Sequence, residues 1–142
     1  MIEKIKALVF EKDICVLATV SKKRPHCSLM AYVADENAEK FYMTTSKLTK
    51  KYTNIENNPN VSLLVDSREK QNRSQAQALT VSGVCETISP DDSQKATLKK
   101  MLLEKHPHLE TILEKPDSEI LCVRVESYLF LDGLTDAYFI EI

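Results

Sequence analysis

The residues of this sequence best suited to chemistry are basic side chains that follow a short predicted strand. They fall at positions i, i+3, i+4 and i+7 of a predicted helix and so share one polar face: Lys47, Lys50, Lys51 and Asn54. Exposed cations at a helix N-terminus oppose the macrodipole, at a cost of about 0.3 kcal/mol or more each. A bound phosphate would reverse that sign, because free N–H groups and the helix dipole both favour an anion there.

Hydroxyl side chains stand beside these lysines in the sequence, and hydroxyls can donate to phosphate oxygens. They are Thr44, Thr45, Ser46 and Thr49. Two interpretations stay open on spacing alone. One is a phosphate site at the start of the helix, and the other is a solvated lysine face.

Motifs of the commoner phosphate and hydrolytic sites are missing. The only glycines are Gly83 and Gly133, which excludes the Walker-A loop and the dinucleotide fingerprint, since both need several glycines. No G-x-S-x-G, no H-E-x-x-H and no paired-carboxylate cluster is present. We therefore assign no catalytic and no metal-binding side chain, and any phosphate must be held by side chains and helix ends.

Cysteine and histidine usage points to packing rather than to metal chemistry. No cysteine stands in a C-x-x-C pair, and all four lie in apolar or alternating stretches, so we expect buried core thiols: Cys15, Cys27, Cys85 and Cys122. Residues 106–108, His-Pro-His, lack carboxylate or cysteine companions at metal-ligand spacing. We expect them in a solvated loop.

Composition bounds the class of protein. A chain of 142 residues with 43% hydrophobic and 28% charged residues fits one globular domain spanning residues 1–142. A net charge of −2 argues against a nucleic-acid partner. No apolar run approaches the roughly 20 residues of a membrane helix, and the N-terminus is unlike a signal peptide. We expect a cytoplasmic protein with no membrane partner.

The spacing of apolar residues predicts the strands and helices that must position these side chains. It predicts about six strands, in segments 14–20, 25–34, 40–45, 61–65, 76–88 and 120–131, with a short last one at 137–142. Helices are predicted over 2–12, over 47–57 and after an N-terminal signal at Ser89-Pro90-Asp91-Asp92. Several connections are too short for crossover helices, so the strands pair antiparallel. An antiparallel barrel with helices at its ends follows, with an open α+β sheet as the alternative.

Several stretches resemble the pyridoxamine 5′-phosphate oxidase superfamily of FMN-binding split barrels. They are Phe41–Thr45, Thr49–Lys51, Asn54–Leu64, Cys15–Val20 and Val81–Val84. The similarity covers about residues 1 to 90. It implies a mainly β split barrel of Greek-key type with inserted helices, and a homodimer with FMN at the interface.

The resemblance also implies which residues hold the phosphate end of the cofactor. By position, Lys50 and Lys51 would grip the FMN phosphate, with Thr49 beside them. Thr44 and Thr45 would line the phosphate and ribityl chain.

The flavin ring would lie over the second strand. The resemblance implies contacts from the backbone of Ser28, Leu29, Met30 and Ala31, and places Gln77 near a further flavin contact.

Departures from the family narrow the expected activity. At Ser28 the true oxidase has an arginine, and at Val33 a lysine that helps to hold substrate phosphate. The oxidase's C-terminal tryptophan and arginines have no counterpart in residues 136–142. The resemblance therefore implies FMN binding but not vitamin B6 oxidation.

Three classes of function stay open. The first is an FMN-dependent oxidoreductase acting on a small-molecule electron donor or acceptor, because the ring itself supplies the redox chemistry. The second is a non-catalytic flavin or haem binding or sensing module, in which haem would depend on His26. The third is an interaction protein that has lost its cofactor. In the first two classes a deazaflavin could replace FMN.

Arg68 and Arg73 lie in a predicted polar loop. They could contact a charged substrate or the partner subunit's flavin, or be solvated.

Overall fold

Eight antiparallel strands form one sheet that curls into a half-barrel, in a computed structural model that describes all 142 residues. The strands are β1 (Ile14–Ser21), β2 (Arg24–Ala31), β3 (Val33–Ala34), β4 (Lys40–Ser46), β5 (Asn60–Asp66), β6 (Gln77–Thr87), β7 (Ser118–Asp132) and β8 (Asp136–Glu141). Their order is β2-β1-β5-β6-β7-β4-β3, with β8 paired to β7. The predicted antiparallel barrel is confirmed, with more strands than the six expected.

Four helices surround the sheet: α1 (Ile2–Glu11), α2 (Lys50–Asn57), α3 (Lys95–Lys105) and α4 (Glu110–Leu113). Two 3₁₀ turns, Lys70–Asn72 and Pro107–Leu109, complete the secondary structure. No helix is both long enough and apolar enough to cross a membrane.

The core fills the inside of the half-barrel. Alternate residues of each strand point inward, as period-two patterning requires, and α1 closes one end with Ile5, Leu8 and Val9. A second apolar cluster lies under α3 and α4, where Leu102 and Leu113 pack with Ile120 and neighbouring side chains. This second cluster holds the helical segment between β6 and β7 against the sheet.

Three local predictions were wrong, each for a physical reason. The helix expected after Ser89 begins only at Lys95, because Ser89 Oγ accepts the N–H of Asp91 at 3.3 Å and makes a turn instead of a cap. Cys27 is exposed on edge strand β2, whereas the other three cysteines are buried. His106 is buried rather than solvated, and its Nε2 donates to a backbone oxygen at 2.9 Å.

Gly83 marks a bulge in β6, where the register with β7 shifts after Ser82. A Cβ at this position would overlap the backbone oxygen of Arg124, which cannot move aside as a flexible side chain can. We expect Gly83→Ala to lower the free energy of unfolding by about 1–3 kcal/mol, the usual cost of overpacking. Urea denaturation would measure this loss, with Ser82→Ala as the matched control. An unchanged midpoint would contradict the close approach.

Candidate functional site

A cavity of about 580 Å³ opens where the barrel is split, between edge strand β2 and strand β4. Its size falls within the roughly 300–1,000 Å³ of small-molecule sites. The β2 wall is formed by Leu29, Met30 and Ala31. The second wall comes from the end of β4 and the start of α2: Thr44, Thr45, Ser46, Leu48, Thr49 and Lys51.

The backbone of β2 contributes polar groups to this split. The strand pairs only with β1, and Tyr32 N–H donates to the backbone oxygen of Asp13 at 2.9 Å just beyond the paired segment. In an antiparallel pair every second residue directs its backbone groups to the partner strand. Ser28 therefore bonds toward β1, whereas Leu29 and Ala31 direct their N–H and C=O groups toward the free edge.

The start of α2 forms the polar end of the cavity. Thr49 is the N-cap residue, and its Oγ1 lies 3.1 Å from Thr45 Oγ1 and 3.4 Å from the N–H of Tyr52. The N–H groups of Lys50 and Lys51 lie in the first turn and have no intrahelical acceptor. No acidic residue lies in that turn. Hydroxyls, free N–H groups and the half-buried Lys51 side chain thus converge at one place.

Lys47 does not belong to this group, which corrects the predicted helix start. It precedes α2, and its Nζ lies 3.1 Å from Glu119 Oε1. This hydrogen bond raises the pKa of Lys47. Glu119 is only 6% exposed, and its Oε2 has no hydrogen-bond partner. Because Lys47 is held in this ion pair, Lys51 is the lysine of the α2 segment that lines the cavity.

Asp117 is the carboxylate among the cavity residues. Ser46 Oγ donates to Asp117 Oδ2, and this hydrogen bond lowers the pKa of the carboxyl group. The side chain therefore stays ionised at neutral pH and is already bonded to the end of β4.

The third wall was missed by sequence reasoning. It comes from the 3₁₀ turn Pro107–Leu109, from α4 and from the segment that leads into the first residue of β7: His108, Leu109, Ile112, Lys115, Asp117 and Ser118. Register brings it there, because Ser46 in β4 pairs with Ser118 in β7. His108, Ile112 and Lys115 have the i, i+4, i+7 spacing of one helical face, which is the signal that could have pointed to it.

The structure brings together seven of the ten residues expected to bind cofactor: Leu29, Met30, Ala31, Thr44, Thr45, Thr49 and Lys51. Ser28 and Lys50 do not line the cavity, although each is next in sequence to a residue that does. Gln77 lies elsewhere, where its Nε2 donates to Asp132 Oδ1 at 3.2 Å. Arg68 and Arg73 also lie outside the cavity, on the exposed loop between β5 and β6.

Comparison with known structures supports the same fold. The chain is similar to a haem-binding protein from Mycobacterium smegmatis (16% identity, TM-score 0.87). The alignment covers 98% of this chain but only 57% of the Mycobacterium chain. It is similar to General Stress Protein 26 from Bacillus anthracis (24% identity, TM-score 0.77), and the alignment covers 99% of this chain and 97% of the Bacillus chain. It is also similar to an FAD-binding protein from Mesorhizobium loti (17% identity, TM-score 0.73), with 90% of each chain covered.

Sequence comparison names the family. No curated protein sequence matches the chain. The family model described as pyridoxamine 5′-phosphate oxidase matches residues 1–132, which is most of the chain. With its split barrel and the cavity between β2 and β4, this chain belongs to the pyridoxamine 5′-phosphate oxidase family.

Proposed function

We propose that this protein is an FMN-dependent oxidoreductase that is not a pyridoxamine phosphate oxidase. The observation that carries the proposal is the polar end of the cavity, where the Thr45 and Thr49 hydroxyls, the Lys51 side chain and the free N–H groups of α2 meet. This donor set suits a phosphate dianion. The name of the Mesorhizobium FAD-binding protein, which shares the fold, agrees with a flavin.

The residues of the cavity fit the rest of FMN as well. The free backbone edge of β2 at Leu29 and Ala31 offers donors and acceptors to a polar ring edge, and Met30 adds an apolar surface. The isoalloxazine ring supplies hydride and electron transfer when it is bound. The chain's own part is to hold the phosphate, orient the ring and exclude water from one side of it.

Two residues argue against vitamin B6 phosphate as the substrate. Val33 is buried with Tyr42 in the second apolar cluster, so this position cannot supply a cation to a substrate phosphate. Ser28 carries no charge and does not line the cavity. We propose a different small-molecule electron donor or acceptor.

We further propose that the protein acts as a homodimer through the outer face of the sheet. One register row crosses six strands on that face: Leu29, Val16, Leu64, Thr80, Leu129 and Phe139. Leu29 is 75% and Phe139 is 63% exposed. Six strands about 4.8 Å apart span about 24 Å, and exposed apolar side chains that recur over such a length are typical of an interaction surface. Leu29 also lines the cavity, so a second copy on this face would adjoin the cofactor.

A cofactor titration tests the proposed function directly. We expect the protein, after incubation with FMN and gel filtration, to show flavin absorption near one FMN per chain. NADH oxidation that depends on this loaded protein would support an enzyme rather than a binding module. A colourless protein after the same treatment would contradict the flavin assignment.

We propose the cytoplasm as the compartment of this protein, because all four cysteines are free thiols.

A second candidate function, haem binding, is supported by one observation. His108 is exposed and lines the cavity, whereas His26, the residue expected to serve haem, does not line it. The Mycobacterium protein with the same fold is named a haem-binding protein.

Haem binding makes a separate prediction. If haem is the cofactor, hemin should give a sharp Soret band that His108→Ala abolishes and His26→Ala leaves in place, because an imidazole nitrogen is the usual axial ligand. Absorption titration measures both. Equal Soret bands in wild type and His108→Ala would contradict this candidate.

A further inference from the structure

The cavity carries positive charge although the chain as a whole is negative. Its lining contains Lys51 and Lys115, together with the imidazole of His108, against the single carboxylate of Asp117. The net charge of the chain is −2. Asp117 is already bonded by Ser46 Oγ, and neither Lys115 nor His108 takes part in an ion pair. With the imidazole neutral, the lining carries one net positive charge, and the charge of Lys115 acts on Asp117 without forming an ion pair with it. Lys115 therefore remains available to an anionic ligand.

Lys115 and His108 lie on a wall that is held firmly. Leu109 and Leu113 anchor this wall by packing into the second apolar cluster. His106 is buried at the start of the 3₁₀ turn, and its ring meets the His108 ring edge-on, with centroids 5.7 Å apart. The exposed His108 ring therefore has a buried aromatic neighbour on one side.

The same wall offers apolar surface to a ligand. Ile112 is 39% exposed and lines the cavity together with Leu109. His108 in the 3₁₀ turn, Ile112 in α4 and Lys115 just after α4 all line the cavity, so this wall presents a polar group, an apolar side chain and a cation. An organic molecule with an apolar body and one anionic group matches this pattern.

We propose that the wall formed by His108, Ile112 and Lys115 binds the carboxylate and apolar body of an organic acid substrate. Lys115 and His108 hold the carboxylate, and Ile112 contacts the body. The inference rests on the proposed function, since it assigns Lys51 to the cofactor and Lys115 to the substrate.

Benzoate and benzamide provide a matched pair of probes, because they share a ring and differ in charge. Binding is measured by ligand-observed NMR on both FMN-loaded and cofactor-free protein, so that the readout does not depend on turnover. We expect benzoate to bind about tenfold more tightly than benzamide, as one charge-assisted contact implies. Lys115→Ala should remove this preference, and His108→Ala should reduce it. Lys105→Ala is the control, because it removes a cation at the end of α3 that does not line the cavity.

The outcomes separate this inference from the proposed function. Equal binding of the two probes by wild type would overturn the anion site, as would a preference that survives Lys115→Ala. A loss of FMN affinity in Lys115→Ala as large as in Lys51→Ala would also overturn it, since Lys115 would then belong to the cofactor. A benzoate preference in a protein that binds no FMN would uphold the anion site and overturn the proposed oxidoreductase.

Discussion

Lys51→Ala is expected to weaken FMN binding about 10- to 100-fold, because a hydrogen bond to a charged group contributes about 1.5–3 kcal/mol. Lys51 is the half-buried lysine of the cavity and reaches it from the first turn of α2. Its removal leaves the helix N-terminus and the Thr49 cap in place, so the fold should persist. Quenching of FMN fluorescence during titration measures the affinity, and circular dichroism checks the fold.

Lys50→Ala is the matched control for this experiment. Lys50 is the neighbouring residue in the same turn, but its side chain is exposed and does not line the cavity. We expect its loss to change FMN affinity by less than about fivefold, since exposed charge pairs contribute about 0–1 kcal/mol. Unchanged FMN affinity in Lys51→Ala would show that the phosphate lies elsewhere, and a larger loss in Lys50→Ala would show that Lys50 rather than Lys51 holds it.

Leu64→Asp and Leu129→Asp are each expected to convert the proposed dimer into monomers. Both residues lie in the middle of the apolar row on the outer face, at 41% and 40% exposure. A carboxylate placed in a self-matched apolar interface loses its water without gaining a partner, so dimerisation should weaken by at least about 100-fold. Light scattering after gel filtration should show the mass fall from twice 16.1 kDa to 16.1 kDa.

The same variants test whether the interface completes the cofactor site. Because the row ends at Leu29, which also lines the cavity, we expect FMN affinity to fall along with dimerisation. Phe10→Asp is the control, since Phe10 is 44% exposed on α1 and lies off this row. A wild-type protein that runs as a monomer, or variants that stay dimeric, would refute the proposed interface.

Local patterns in the sequence were sufficient to predict most strands and helices and to group some of the residues that line the cavity. The strand run at residues 14–20, the helix at 2–12 and the hydroxyl residues before α2 are all found where periodicity or composition placed them. Such features depend on neighbours within a few residues, so a single sequence contains the information. Thr45, Thr49 and Lys51 were grouped for this reason, because one strand end and one helix start hold all three, although spacing alone left a solvated lysine face as the alternative.

Only the tertiary structure decided which lysine serves the cavity and what forms its third wall. Lys47 and Lys51 are alike in sequence, but Glu119, far along the chain, takes Lys47 as its partner. Ser46 and Asp117 are 71 residues apart and meet because β4 pairs with β7. That pairing brings His108, Ile112 and Lys115 to the split in the barrel. Side-chain spacing along one strand or helix cannot encode such contacts, because they depend on the register between strands distant in sequence.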